Sequence, residues 1–424
     1  MLSIRNLKIF FCGFSLLLYA VSTRAQVYED ELSADSDTIQ SSLVWTDTIV
    51  MRNDTLPWPK SVQSKIDQLL RHDMFQTSQL GLMIWDLDAD SAIYRFNERQ
   101  LMRPASTMKV VTAIATLDKF GENHQFKTEL CYTGKVDSCT LSGDVYCVGG
   151  FDPRFNSDDM RSFVEALRKM GVDTIRGNIY SDKSMKNSDT LGEGWCWDDD
   201  NPVLSPLLIS RKDEFMQRFY TELRKAGIYL TGAIGERQKP QTANCIVSRF
   251  HTIDQILMRM LKQSDNLYAE AMFYQLAAAT GNRPATAQGA RDMIKQLVNK
   301  LGYDGSRYRF ADGSGLSLYN YISAELEVRL LRHAYKNENV FNHLLPALPI
   351  AGVDGTLKRR MQSQFTRGNV HAKTGTLTGV SSLCGYLTAA NGHRICFAII
   401  NQGVMHVKNG RAFQDKVCSI LCSP

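Results

Sequence analysis

The alternation of apolar and polar positions changes rhythm several times along this 424-residue chain. "SVQSKIDQLLRH" (61–72) places apolar residues three and four apart, the spacing of one helix face. "LGLMIWDLDADSAIYRFNE" (80–98) predicts a strand, an Asp-rich turn and a second strand. "RPASTMKVVTAIATL" (103–117) is apolar almost without a break after Pro104. It predicts a buried helix with Pro104 close to its start and Ser106 or Thr107 in its first turn.

From about Phe126 strand and helix patterns alternate. "TLSGDVYCVGG" and "VDTIRGNIYSD" read as strands; "SDDMRSFVEALRKMG" and "EFMQRFYTELRKAG" read as amphipathic helices with Gly stops. This predicts an inserted α/β module over residues 128–248. "TIDQILMRMLKQSDNLYAEAMFYQLAAATG" is helical with a polar break at "KQSDN". Helices follow at about 284–301 and in "SAELEVRLLRHAYKN", with the turn-rich "ADGSGLSLYN" between them. "NVHAKTGTLTGVSSLCGYLTAANGHRICFAIINQG" predicts two long strands joined at Asn391-Gly392, and a last helix spans about 407–421. The fold class expected is mixed α/β (α+β). Residues 59–127 and 249–424 form one domain, its antiparallel sheet built from both chain ends and flanked by helices.

Composition adds a compartment. Arg5 and Lys8 precede the apolar run Ile9–Val21, and "STRA" ends on the small residue Ala25. That is the pattern of a secretory signal peptide over 1–25, its core too short for a span. An exported, periplasmic or extracytoplasmic location is expected, with no stable membrane anchor. Residues 26–58, rich in Asp, Ser and Thr, read as a poorly ordered lead-in. The formal net charge is +5, and three of those positive charges lie in the leader. No basic run stands out, which argues against nucleic acid. Nine of the ten cysteines follow the leader, so at least one is unpaired; pairing is not legible, and none has zinc-ligand spacing with a histidine pair.

The lysine in the apolar helix is the chemical anomaly. Lys109 lies three residues after Ser106, one helical turn along the same face. A serine hydroxyl needs a base to become a nucleophile, and an amine serves only when neutral, a state that desolvation favours. The bland alternative is a lysine that snorkels to solvent. Two further motifs tip the balance. Ser264-Asp265-Asn266 and Lys373-Thr374-Gly375 each occur once, in that order, the first in a break between helices and the second opening a strand. Ser-x-x-Lys, Ser-x-Asn and Lys-Thr-Gly together are the motif set of penicillin-binding proteins and related β-lactamases.

With "PASTMKVVTAIATLDKFG", "LSGDVYCVGGFDP", "GWCWDDD", "DGSGLS", "GVDGTLKRR" and "HAKTGTLTGVSSLCGYL", the chain resembles the D-Ala-D-Ala carboxypeptidase/endopeptidase family, class C low-molecular-mass penicillin-binding proteins. The resemblance implies a β-lactamase/transpeptidase-like domain. It implies Ser106 as nucleophile, Lys109 as its base and Ser264 as a proton relay. Asn266, Lys373, Thr374, Gly375 and Thr376 would bind substrate, with the oxyanion between the backbone N–H groups of Ser106 and Thr376. Asp198, in the acidic run after Trp197, would meet the diamino acid of the substrate or be only a solvated acid. "DGSGLS" would line the site; it is not the Gly-x-Ser-x-Gly elbow of a hydrolase. The implied partners are stem peptides ending in D-Ala-D-Ala and β-lactam antibiotics as covalent inhibitors. No cofactor or metal is expected. The alternatives are a β-lactamase, for which no convincing Glu-x-x-x-Asn loop is found, and a non-catalytic wall-binding module.

Overall fold

The structure, a computed structural model, describes residues 56–196 and 201–424. The leader, nearly all of the lead-in, and Asp198 lie outside the described residues. No helix among the described residues is long and apolar enough to cross a membrane.

The main sheet has five antiparallel strands. Their order is His371–Leu377, Val380–Thr388, Arg394–Gln402, Gln79–Asp86 and Ser91–Phe96. The chain ends meet at its centre, where Leu82 faces Ile399 and Ile84 faces Phe397. Arg394–Gln402 is buried at every position except its two ends, which explains a near-continuous apolar run in place of alternation. Helices cover both faces. Gly410 and Gln414 of the helix Val407–Cys422 meet Ser381, whereas Tyr386 Oη donates to Leu331 O of the helix Ala324–Lys336. Ser381 and Tyr386 are five apart on one strand, so they point to opposite faces.

The expectation of two C-terminal strands is corrected to three. Leu377 pairs with Val380, and Gly379 takes φ +72°. That two-residue reversal at Thr378-Gly379 is hidden in sequence by the β-favourable residues around it. The helix Glu338–Ala347 was also not anticipated; Pro346 lies inside its last turn.

Residues 125–252 supply two further sheets. One has the order Ile234–Glu236, Ile179–Asp182, Val145–Gly149, Gln125–Tyr132, Asn244–Thr252; the smaller joins Lys135–Asp137, Thr140–Ser142, Thr174–Arg176 and Tyr229–Leu230. Phe155, Phe163, Phe215 and Phe219, with Leu130, Val145 and Ile179, form a separate core beneath the helices Ser157–Lys169 and Phe215–Lys225. Asn156 caps the first of these, accepting from the backbone of Asp158 and Asp159. A disulfide joins Cys131 and Cys245, facing positions on adjacent strands.

Candidate active site

Ser106 sits in a 3-10 turn, Ala105–Thr107, that leads directly into the helix Met108–Phe120. Ala105 has φ +51°, left-handed for a residue with a Cβ, so this turn is held by its surroundings. Three segments press on it. A Cβ on Gly315 would fall 1.8 Å from Ala105 O. A Cβ on Gly375 would fall 2.7 Å from Pro104 O, 3.0 Å from Ser106 N and 2.1 Å from Ser382 Oγ. Ser382 Oγ in turn donates to Pro104 O. Gly375 thus admits the serine turn against the edge strand His371–Leu377.

Lys109 is fully buried, and its Nζ lies 3.0 Å from Ser106 Oγ, 2.7 Å from Asn266 Oδ1 and 2.8 Å from Ser314 O. The lysine therefore does not snorkel. Asn266 opens the helix Asn266–Ala278, capped by the Asp265 side chain on Leu267 N. Ser264 links that helix to Ile253–Lys262 with φ +57°. Lys373, also fully buried, donates to Ser264 Oγ at 2.9 Å and Thr374 O at 2.7 Å. Both lysines are sunk, whereas Ser106, Ser264, Asn266, Thr374 and Thr376 keep partial exposure. The three motifs thus meet in one place, with oxygens at the opening and lysine amines behind them.

The "DGSGLS" loop expected to line the site reaches Lys109 through a backbone group, whereas Glu270, Thr356 and Arg411 were not singled out in sequence. Ser314 contributes its carbonyl, a role no side-chain motif announces. Its loop is built around Asp312, which accepts from Gly315 N, Ser317 N, Asn320 Nδ2 and Trp195 Nε1. Glu270, one turn beyond Asn266, accepts from Gly313 N at 3.0 Å. Burial, and then the charge of Asp312, raise the Glu270 carboxyl to about 8. Thr356 Oγ1 lies 2.8 Å from Thr374 Oγ1, and Arg411 reaches Thr376 Oγ1 at 3.4 Å.

A family model described as the D-Ala-D-Ala carboxypeptidase 3 (S13) family matches residues 62–208 and 209–422. The chain belongs to this family. It is an enzyme of the D-Ala-D-Ala carboxypeptidase type, and its fold is the transpeptidase-like mixed α/β fold that was expected. It is similar to a D-alanyl-D-alanine carboxypeptidase of Haemophilus influenzae, at 26% identity over 76% of this chain and 84% of the relative. It is 24% identical to a D-alanyl-D-alanine carboxypeptidase of an Actinomadura strain, over 81% of each chain. Among solved structures, penicillin-binding protein 4 of Haemophilus influenzae superposes with a TM-score of 0.74 at 26% identity, covering 80% of this chain and 93% of that one. The same protein is also known in complex with a β-lactam.

Proposed function

We propose that the protein is exported by the leader read at residues 1–25 and removes terminal D-alanine from peptidoglycan stem peptides through an acyl-enzyme on Ser106. The observation that carries this reading is the placement of Lys109 Nζ. Two of its neighbours are carbonyl oxygens, Asn266 Oδ1 and Ser314 O, which can only accept. As a neutral amine, Lys109 donates to both and turns its lone pair toward Ser106 Oγ. The geometry supports a base aimed at the nucleophile.

Ser106 Oγ attacks the carbonyl carbon between the two D-alanines, and its proton passes to Lys109. Ser264 Oγ, beside Lys373 Nζ, relays a proton to the departing nitrogen as the C–N bond breaks. The positive charge of Lys373 favours the terminal carboxylate at this end of the site, with Thr374 beside it. The oxyanion lies between the N–H groups of Ser106 and Thr376, donors fixed before reaction. Water then hydrolyses the ester and frees Ser106. β-Lactams enter the same path as mimics and remain attached. The same residues serve cleavage of D-alanyl cross-bridges. Residues 128–248 form an inserted module on this domain.

Intact-mass spectrometry after exposure to benzylpenicillin, on wild type and Ser106→Ala, tests the reading. The expected result is an adduct on the wild type alone, alongside D-alanine release from a pentapeptide. An adduct that persists in Ser106→Ala overturns it.

A further inference from the structure

The middle residue of the second motif, Asp265, is held from two directions. Its side chain is only 3% exposed. Arg259 Nε, from the preceding helix, donates to Asp265 Oδ2 at 2.8 Å. Arg211, 54 residues earlier, donates to the same oxygen. Both guanidinium groups lie over the buried Tyr268 ring, at 5.2 Å for Arg259 and 6.0 Å for Arg211. The other oxygen, Oδ1, caps the next helix at Leu267 N.

Arg211 reaches this position from an unusual turn. Ile209 and Lys212 exchange both backbone hydrogen bonds, at 3.0 and 2.9 Å. Ser210 and Arg211 are the two residues between, with φ +47° and +72°. A two-residue turn with both centres in the left-handed region is the geometry that Asn-Gly fills; Ser-Arg is a strained occupant. Nothing in the turn itself calls for arginine. What the arginine reaches is the segment where Ser264 also adopts a left-handed φ, at +57°.

We propose that Arg211 is a positioning residue for acylation, tying the Ile209–Lys212 turn to Asp265. It thereby locks the conformation that sets Ser264 on Lys373 and Asn266 on Lys109. The inference rests on the reading of Ser264 as proton relay. Arg211 acts through Asp265. Arg259 belongs to the helix that ends at this segment, so it fixes Asp265 only to its own surroundings. Arg211 supplies the tie to a distant part of the chain, which makes residues near the site answerable to the fold of residues 128–248.

The test uses the full chain as Arg211→Gln, Arg211→Lys and the control Lys212→Gln, each also measured for melting temperature. Arg211→Gln is expected to lose about tenfold in both kcat for D-alanine release and the rate of benzylpenicillin acylation, with KM moving less than about twofold. Arg211→Lys, which keeps the charge, recovers most of the loss, and Lys212→Gln matches wild type. In an Asp265→Asn background, Arg211→Gln has no further effect on acylation, because the two act as a unit. Wild-type rates in Arg211→Gln, or an equal loss in the Asp265→Asn background, overturn the proposal. So does a large fall in melting temperature with Arg211→Lys equally inactive, since Arg211 would then be structural. If wild type itself takes no penicillin on Ser106, the parent reading fails instead.

Discussion

The Lys262 ammonium group is clamped by both oxygens of Asp354, at 2.9 and 2.7 Å, and donates to Leu348 O at 2.6 Å. This joins the end of the helix before Ser264 to the loop that carries Thr356, and Thr356 meets Thr374. The two partners are unequally exposed: the Lys262 side chain is 9% exposed and that of Asp354 39%.

That inequality predicts an asymmetry. Removing Asp354 strands a buried ammonium and also deprives Ile350 N of its acceptor. Removing Lys262 leaves a carboxylate that water reaches. Asp354→Ala should destabilise by about 2 kcal/mol and Lys262→Met by about half that, since exposure discounts the full penalty of a broken buried pair. Denaturant unfolding of the two variants measures it. Equal losses would mean that the pair's burial is not what matters.

Lys109→Met keeps the length and apolar stem of the lysine and removes the amine. It should lower acylation by benzylpenicillin by at least about 10²-fold, the scale of a positioned general base. Stopped-flow acylation and D-alanine release should fall together, because both begin with the same proton transfer. A variant that still acylates at close to the wild-type rate would assign the base elsewhere.

Gly375→Ala inserts a methyl against Pro104 O, Ser106 N and Ser382 Oγ, at 2.7, 3.0 and 2.1 Å. Two of those atoms are backbone, and they belong to the serine turn, so rotamer changes alone cannot relieve the clash. Overpacking of this kind costs about 1–3 kcal/mol. The strand must move away from Ser106, and acylation should fall more than stability does. Thermal melting beside penicillin acylation separates the two; a variant that melts lower yet acylates normally would refute this account of the glycine.

The candidate site was legible where it rests on side chains at short spacing. Ser106 and Lys109 are one helical turn apart, and the other two motifs carry their own reactive groups. The helices were legible where caps and period agreed, as in Ser157–Lys169 with Asn156 before it. What sequence could not supply were backbone and distant contributions. Ser314 acts through a carbonyl, and Arg211 finds Asp265 only because a strained turn points it there. Glu270 hides within an apolar helix pattern that signals burial but not its neighbours. The reversal at Thr378-Gly379 was masked because strand-favouring residues flank a single glycine. Cys131 and Cys245 became a recognisable pair only once their strands were in register.

Glu327 makes stability depend on pH in a calculable direction. It is fully buried under the serine turn, and neither carboxyl oxygen has a hydrogen-bond partner among the described residues. The Thr107 hydroxyl nearby favours the carboxylate, but it already donates to Pro104 O at 2.8 Å. Burial raises the group from its ordinary 4.5 to about 8. The native state therefore binds more protons than the unfolded state across that interval, and stability falls as pH rises. The contribution is fully present below about 4.5 and is lost as pH climbs through about 8. Glu270 acts in the same sense, so replacing one of the two should reduce the slope without abolishing it. Glu327→Gln, neutral at every pH, should narrow the difference in melting temperature between about pH 5 and about pH 8 by raising the value at the alkaline end. Calorimetry at both pH values on wild type and variant provides the check. An unchanged difference would mean that Glu327 is ionised in the native state.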